Sequence, residues 1–122
     1  MHWGLVSCRP DESLKRVASL MNDERVHCVV VTDDPSDVRS LWGVVSDLDL
    51  IAAASVRDLT EQRAGATAMT PAVTIAPDKE LEHAANLMTK YGVAHLVVVD
   101  PVERRPVGVL STLDLAASLA VA

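Results

Sequence analysis

The 122-residue sequence has no phenylalanine, one tyrosine and two tryptophans, although 49% of its residues are hydrophobic. Its core must therefore be built from Val, Leu, Ala, Ile and Met, a composition typical of α/β proteins. The length suits one compact domain, or two half-size units that share a core. Two independent domains of this total length would each be marginally stable.

Positive charge is also scarce. Eleven Lys and Arg residues stand against 17 Asp and Glu residues, which gives a formal net charge of −6. A broad grip on nucleic-acid phosphates needs clustered Lys and Arg, and the sequence has no such stripe. No hydrophobic run is long enough to span a bilayer, and the first residues lack the basic and apolar segments of a signal peptide. We therefore expect a cytoplasmic protein that binds neither nucleic acid nor membrane.

The sequence has only two cysteines, Cys8 and Cys28, and their spacing fits neither a metal site nor a disulfide framework. Cys28 lies in an apolar run, where a buried free thiol is the ordinary explanation. The sequence also lacks a nucleophile elbow, a phosphate-binding P-loop and any carboxylate pair with an obvious acid/base partner. We therefore predict no catalytic residues and no metal site, and a protein that is not an enzyme.

What the sequence does contain is an internal repeat. The segment Pro10-Asp-Glu-Ser-Leu-Lys-Arg-Val-Ala-Ser-Leu-Met matches Pro77-Asp-Lys-Glu-Leu-Glu-His-Ala-Ala-Asn-Leu-Met. After a turn that is two residues longer in the first copy, the match resumes at Gly43 and Gly108. Turns are where chains tolerate such length changes. We assign residues 1–55 to the first repeat, 56–68 to a linker and 69–122 to the second repeat.

Each repeat is predicted to begin with a short strand and a helix. The strand is expected at residues 5–6 and 73–75, and the helix behind the N-caps Asp11 and Asp78. Apolar residues then recur at helical spacing, so one face of each helix should be core. These residues are Leu14, Val17, Ala18 and Met21 in the first repeat and Leu81, Ala84, Ala85 and Met88 in the second.

Two further strands and a helix complete each repeat. Residues 28–31 and 96–99 are apolar in succession, as in strands that are covered on both faces. Residues 41–45 and 107–110 form the third strand and lead into Ala/Leu-rich helices at 48–54 and 113–119. The helical crossover predicts a parallel first pair of strands, and the short turn predicts a hairpin. Half a domain cannot cover its own sheet, so the two β-α-β-β-α repeats should pack about a pseudo-twofold axis as one compact α/β (α+β) unit.

Three segments of the second repeat form a recognisable pattern. They are Met69-Thr-Pro-Ala-Val-Thr-Ile-Ala-Pro-Asp, Tyr91-Gly-Val-Ala-His-Leu-Val-Val-Val-Asp and Gly108-Val-Leu-Ser-Thr-Leu-Asp. In their order and duplication they resemble a tandem pair of cystathionine-β-synthase (CBS) domains, a Bateman module. The first repeat departs from the pattern, because Trp3 stands where Thr70 stands in the second. Val30 and Val97 also stand where many CBS domains have proline.

This resemblance implies a regulatory module that binds an adenosine-type nucleotide, such as AMP, ATP, S-adenosylmethionine or NADH, in clefts to which both repeats contribute. The residues implied for one cleft, here called the Asp49 cleft, are Ser46, Asp49, Thr70, Val73, Val93, Ala94 and His95. Those implied for the other, the Asp114 cleft, are Val6, Val26, His27, Cys28, Ser111, Thr112 and Asp114. The resemblance also implies a homodimer formed through the second helices, notably residues 113–121, and a separate effector protein as the recipient of the signal.

Two interpretations of the Ser/Asp pairs stay open. Each pair opens a helix, whose free N–H groups suit a phosphate, and the carboxylate can accept ribose hydroxyls. The same spacing is typical of a capping box, which stabilises a helix by roughly 1 kcal/mol without a ligand. These two interpretations of the pairs are compatible with each other. A separate alternative for the whole protein is a ligand-free dimerisation scaffold with empty clefts. If a nucleotide binds, we expect the Asp49 cleft to be the better site, because its wall keeps Thr70 and the small Ala94.

Overall fold

The computed structural model describes residues 2–68 and 70–121, apart from the side chains of residues 2 and 3. Its elements are β1 (His2–Trp3), β2 (Ser7–Cys8), α1 (Leu14–Glu24), β3 (Cys28–Thr32), β4 (Leu41–Ser46), α2 (Asp47–Ala54), α3 (Ala64–Thr67), β5 (Thr74–Ile75), α4 (Leu81–Tyr91), β6 (His95–Val99), β7 (Pro106–Ser111) and α5 (Thr112–Ala120). Two 3-10 turns, Val38–Ser40 and Leu59–Glu61, lie between them. The predicted order of strand, helix, strand, strand, helix is confirmed in both repeats.

The strands form two sheets, one for each repeat. One sheet has the order β2-β3-β4 and the other β1-β7-β6-β5. In each sheet the first pair is parallel, β2 with β3 and β5 with β6, and the hairpin is antiparallel, as predicted. One pairing was not predicted. Strand β1 of the first repeat joins the sheet of the second repeat, where it pairs with β7 and places His2 opposite Val109.

The predicted strand at residues 5–6 was wrong by two positions. The strand that pairs with β3 is Ser7–Cys8, and Val6 only offers its carbonyl to the N–H of Val30, at 3.0 Å. Leu5 instead packs against the cluster between the two sheets. This placement follows from β1, because the chain must leave the second sheet before it can join its own. The second-repeat strand at 73–75 is confirmed as Thr74–Ile75.

The central strands explain why two sheets are needed. In β3, Val29 and Val31 face α1 and α2, while Cys28 and Val30 face the other sheet. The corresponding strand β6 alternates in the same way between its own helices and the cluster between the sheets. Every residue of β3 is buried, so the run of apolar residues in the sequence is satisfied from both sides.

The predicted N-caps Asp11 and Asp78 were also wrong by two positions. Each lies in the turn that precedes its helix. The N–H of Glu12 donates to the carbonyl of Arg9 in the first turn, and that of Lys79 donates to the carbonyl of Ala76 in the second. The cap of α1 is Ser13, whose hydroxyl accepts the N–H of Arg16 at 3.1 Å. Its equivalent in α4 is Glu80, which makes no side-chain capping bond. A β-region backbone at Ser13 and Glu80 marks the true start of each helix.

The predicted core face is confirmed for α1 but only in part for α4. Leu14, Val17 and Met21 are buried, as are Ala84 and Met88, whereas Leu81 and Ala85 are exposed. The predicted linker contains structure of its own, including α3, which packs beside β4. Met69, the first residue of the second repeat's opening motif, and Ala122 lie outside the described residues. Among the described residues, no helix is long and apolar enough to cross a membrane.

Candidate functional site

Both Ser/Asp pairs sit where a hairpin strand runs into a helix. Ser46 ends β4 and caps α2, with its hydroxyl accepting the N–H of Asp49 at 3.2 Å while Asp49 Oδ2 accepts the N–H of Ser46 at 2.8 Å. Ser111 and Asp114 make the same reciprocal bonds at the start of α5, at 3.3 and 2.8 Å. The capping-box interpretation is therefore confirmed for both pairs.

Capping leaves part of the Asp49 carboxylate available. The cap uses Oδ2, and Oδ1 of Asp49 accepts no hydrogen bond from residues 2–68 or 70–121. A carboxylate oxygen at a helix N-terminus, with its partner oxygen held by the backbone, is already oriented to accept a hydroxyl. Capping and ligand binding are thus compatible in geometry at this residue.

Each helix start is tied to the central strand of its own repeat. The N–H of Asp47 donates to the carbonyl of His27 at 2.9 Å, and that of Thr112 donates to the carbonyl of Ala94 at 3.0 Å. These matched bonds fix each helix N-terminus beside the entrance to a cleft between the repeats. The hairpin register does the same, since Ser46 lies opposite Cys28 and Ser111 lies opposite His95.

The Asp49 cleft is a cavity of about 170 Å³ formed by both repeats. The structure brings together five of its predicted residues, Ser46, Asp49, Val93, Ala94 and His95. Thr70 and Val73 line a separate hollow of about 420 Å³, which meets the cleft only at Val93. The mixed origin of the walls, with the capped helix from one repeat and the strand entrance from the other, agrees with the predicted arrangement.

The Asp114 cleft is a cavity of about 150 Å³ with the reciprocal composition. It contains the predicted Val26, His27, Cys28, Ser111 and Asp114. Thr112 and Val6 do not line it: Thr112 is exposed at the first position of α5, and Val6 packs against the core of the first repeat.

Sequence reasoning missed several lining residues. In the Asp49 cleft they are Val44, Leu48 and Gly92, and in the Asp114 cleft they are Val109, Leu113 and Arg25. The repeat could have identified them, because they form three pairs of equivalent positions in the two repeats: Val44 with Val109, Leu48 with Leu113, and Gly92 with Arg25. His95 was assigned to one cleft but lines both, so it lies between the two cavities.

Burial at the clefts favours the neutral forms of Cys28 and His95. Burial, followed by the charges of Asp49 and Asp47, raises the pKa of the Cys28 thiol to about 12. Burial lowers the pKa of His95, although Asp47 and Asp49 oppose the shift. Nδ1 of the exposed His27 lies 3.1 Å from Oδ2 of Asp47. Cys28 is buried in the cluster between the sheets, and its raised pKa disfavours the reactive thiolate, so its role in the structure is packing.

Comparison with known proteins agrees with the architecture. No curated protein matches the sequence. Among solved structures, a CBS domain protein from Pyrobaculum aerophilum complexed with AMP is 29% identical, with a TM-score of 0.78 over 100% of this chain and 95% of that chain. CBSX2 in complex with AMP is 26% identical, with a TM-score of 0.70 over 96% of this chain and 89% of that chain.

A third solved structure and the family model extend this comparison. A CBS-domain containing protein from Agrobacterium tumefaciens has a TM-score of 0.80 at 20% identity, over 96% of this chain and 90% of that chain. The model of the CBS domain matches twice, at residues 1–56 and 56–121, so that together the matches span nearly the whole sequence. The chain belongs to the CBS-domain family, as a tandem pair of CBS repeats.

Proposed function

We propose that this chain is a regulatory module that binds an adenosine-type nucleotide in the two clefts between its repeats and passes the bound state to a partner protein. The observation that carries the proposal is the mixed construction of each cleft. A capped helix start from one repeat faces the entrance to the central strand of the other, so a ligand there contacts both repeats at once. Such a ligand can change how the repeats sit against each other, which a partner can sense.

The chemistry of the Asp49 cleft supports an adenosine ligand. Oδ1 of Asp49 is available to accept ribose hydroxyls, and Val93 and Ala94 provide small apolar walls beside it. A planar base suits apolar walls, while a sugar needs a fixed polar acceptor. Two proteins of the same fold were solved as AMP complexes, which supports the same class of ligand here.

One observation favours the alternative, a ligand-free scaffold. Cavities of about 150 and 170 Å³ fall below the roughly 300 to 1,000 Å³ that is typical of small-molecule sites. The clefts in this structure thus have room for a base-sized group, and a whole nucleotide would have to extend into solvent or widen the cleft. The scaffold interpretation predicts no binding at either cleft.

Substitution of the two aspartates separates the alternatives. Asp49→Ala should weaken nucleotide binding by ~1.5 to 3 kcal/mol, the cost of losing charge-assisted hydrogen bonds, and Asp114→Ala should weaken it less. Asp49→Asn is the matched control, because an amide oxygen can still cap α2 while the charge is lost. Calorimetry that gives equal losses for the two alanine variants would refute the ranking of the clefts. Unchanged affinity in both would leave the pairs a capping role alone.

We further propose that the module works as a homodimer. Exposed apolar side chains lie on both second helices: Leu48, 71% exposed, and Ile51 on α2, and Leu113, 68% exposed, and Leu119 on α5. A surface of this kind is expected to be covered by a second copy. Light scattering should show a dimer that Ile51→Glu dissociates, whereas Val102→Glu, on the exposed hairpin turn, leaves it intact. A monomer at high concentration would contradict this.

A further inference from the structure

The two clefts differ most at one pair of equivalent residues, Arg25 and Gly92. Each ends the first helix of its repeat, with its N–H donating to the carbonyl of Met21 or Met88. Each adopts the left-handed backbone conformation, with φ of 55° at Arg25 and 63° at Gly92. Arg25 lines the Asp114 cleft and Gly92 lines the Asp49 cleft.

Glycine is the residue that this backbone conformation favours. A left-handed residue closes an α-helix at no steric cost when it is glycine, whereas a side chain with a Cβ destabilises the fold there. The second repeat follows the rule and the first does not. Residues held in such a conformation cluster at sites where their side chains have a role in binding. The strain at Arg25 thus coincides with its place on the wall of a cleft.

The charge of Arg25 is not used by the fold. Its guanidinium makes no ion pair or side-chain hydrogen bond within the parts of the chain that the structure describes. The Asp49 cleft, in contrast, is lined by no arginine or lysine among the described residues. A guanidinium presents several donors in a planar fork that matches phosphate oxygens. The Asp114 cleft therefore has a counter-charge for phosphate at a position where the Asp49 cleft has only a glycine.

We propose that Arg25 is a specificity-determining residue that makes binding at the Asp114 cleft depend on the phosphate of an adenosine ligand, whereas the Asp49 cleft binds the nucleoside part irrespective of phosphate. This inference rests on the proposed function and adds that the two clefts differ in their specificity for phosphate. The Asp49 cleft remains the tighter site for both adenosine and AMP, because Arg25 only narrows the difference between the clefts when a phosphate is present. The module would then distinguish phosphorylated from unphosphorylated ligands by which cleft is filled.

The test is an NMR titration of the full chain with adenosine and with AMP. The amide signals of Gly92 and Ala94 report the Asp49 cleft, and those of Val26 and Leu113 report the Asp114 cleft. In the wild type we expect AMP to bind the Asp114 cleft at least tenfold more tightly than adenosine does, and the Asp49 cleft to distinguish them less than threefold. Arg25→Gly should abolish the preference at the Asp114 cleft, since one charge-assisted contact corresponds to about tenfold or more in affinity.

A matched control separates strain from recognition. Arg104 also has a left-handed backbone, with φ of 56°, but it lines neither cleft. Arg104→Gly and Arg25→Gly should each raise the melting temperature by about 2 to 4 °C, because both relieve backbone strain. Only Arg25→Gly should alter the response to AMP. The reciprocal variant Gly92→Arg meets no atom within 4 Å of its Cβ, and it should confer a phosphate preference on the Asp49 cleft.

The outcomes are distinguishable. If neither adenosine nor AMP shifts any signal at either cleft in the wild type, the proposed function fails and the inference fails with it. If both bind but Arg25→Gly keeps the preference for AMP at the Asp114 cleft, the inference alone fails. Arg25 is then a solvent-exposed residue that only caps α1.

Discussion

The first helices of the two repeats share their apolar pattern but not their burial. Leu14 in α1 is fully buried, whereas Leu81 at the same position of α4 is 37% exposed. Ala18 is partly buried, whereas Ala85 is exposed. Identical spacing therefore produces a core face in one repeat and a half-exposed face in the other. Periodicity shows which face is apolar, and the rest of the chain decides whether that face is covered.

The linker is what covers α1. The N–H of Leu14 donates to the carbonyl of Gln62 at 2.9 Å, and the N–H groups of Ala64 and Gly65 donate to the carbonyls of Glu12 and Pro10, also at 2.9 Å. Ala64 is fully buried in the core of the first repeat, and Leu59 packs against that core. Within residues 2–68 and 70–121, no segment makes the corresponding bonds to the start of α4. The two repeats should therefore differ most in stability at these helices.

The largest difference between the repeats should appear when Leu14 and Leu81 are each truncated to alanine and the loss in the free energy of unfolding is compared. Leu14→Ala leaves a cavity in a fully buried site and should destabilise the protein by about 2 to 5 kcal/mol. Leu81→Ala should cost about 1 kcal/mol or less, because its side chain already contacts solvent. Chemical denaturation measures both. Equal losses would mean that α4 is covered in solution, and the contrast between the repeats would fail.

Displacing the linker from α1 by a substitution at Gly65 should have the next largest effect on the free energy of unfolding. A Cβ at Gly65 would lie 2.9 Å from Pro10 Cβ and 3.2 Å from Trp42 Cζ3, which is too close for a side chain. Gly65→Val should therefore push the linker away and destabilise the fold by about 1 to 3 kcal/mol. The amide of Leu14, which bonds the linker, should then exchange faster with solvent.

The exposed Ala66 provides the control for this substitution, since Ala66→Val places the same side chain one residue away without that contact. Comparable destabilisation by both variants would show that the close approach of Gly65 to Pro10 is unimportant.

At the helix caps, where the two repeats make the same reciprocal hydrogen bonds, equivalent substitutions should lower the free energy of unfolding equally. Ser46→Ala and Ser111→Ala each remove the hydroxyl of a capping box, so each should lower the free energy of unfolding by about 1 kcal/mol. Thr substitutions at both positions keep the capping oxygen and should restore most of the loss. Thermal denaturation that separates the two alanine variants by more than about 1 kcal/mol would contradict the equivalence of the caps.

The smallest expected difference concerns pH. His95 stands where the first repeat has Cys28, and burial lowers its pKa in the folded protein. Protonation then favours the unfolded chain. The reference pKa of this histidine in the unfolded chain is 6.5. The contribution of neutral His95 to the free energy of unfolding is therefore present above pH 6.5 and should be lost as the pH falls below that value. The groups that face His95 are Asp47, Asp49, His27 and Asp114. His95→Gln should flatten this part of the stability profile. An unchanged slope for His95→Gln would contradict the assignment.

Much of the fold was predictable because the same order of strands and helices can be inferred independently from each of the two repeats. The parallel pair, the hairpin and the buried strands β3 and β6 follow from apolar periodicity and connection length. The N-caps were missed because Asp11 and Asp78 follow a proline as a cap would, while the true caps lie behind one more turn. The exchange of β1 into the other sheet depends on long-range pairing, which local patterns do not contain.

The candidate site was predictable for a similar reason. The Ser/Asp pairs and the strand entrances at Val26 and Val93 carry recognisable signals, and the structure brings them together across the repeats. Thr70 and Val73 were placed in the cleft by family resemblance, whereas the local path of the chain puts them in a neighbouring hollow. The repeat offset pairs Arg25 with Gly92, but only the structure reveals that Arg25 has a left-handed backbone and lines a cleft.

The most direct test of the central claim is the thermal stability of the full chain with a panel of adenosine compounds. We predict that AMP, ATP, adenosine, S-adenosylmethionine or NADH at a hundred times its dissociation constant stabilises the fold by about 2.7 kcal/mol. GMP at the same concentration should do so less. The Asp49→Asn/Asp114→Asn double variant should lose most of the response. No stabilisation by any of the five, at concentrations up to the millimolar range, would contradict the account and leave the module a scaffold.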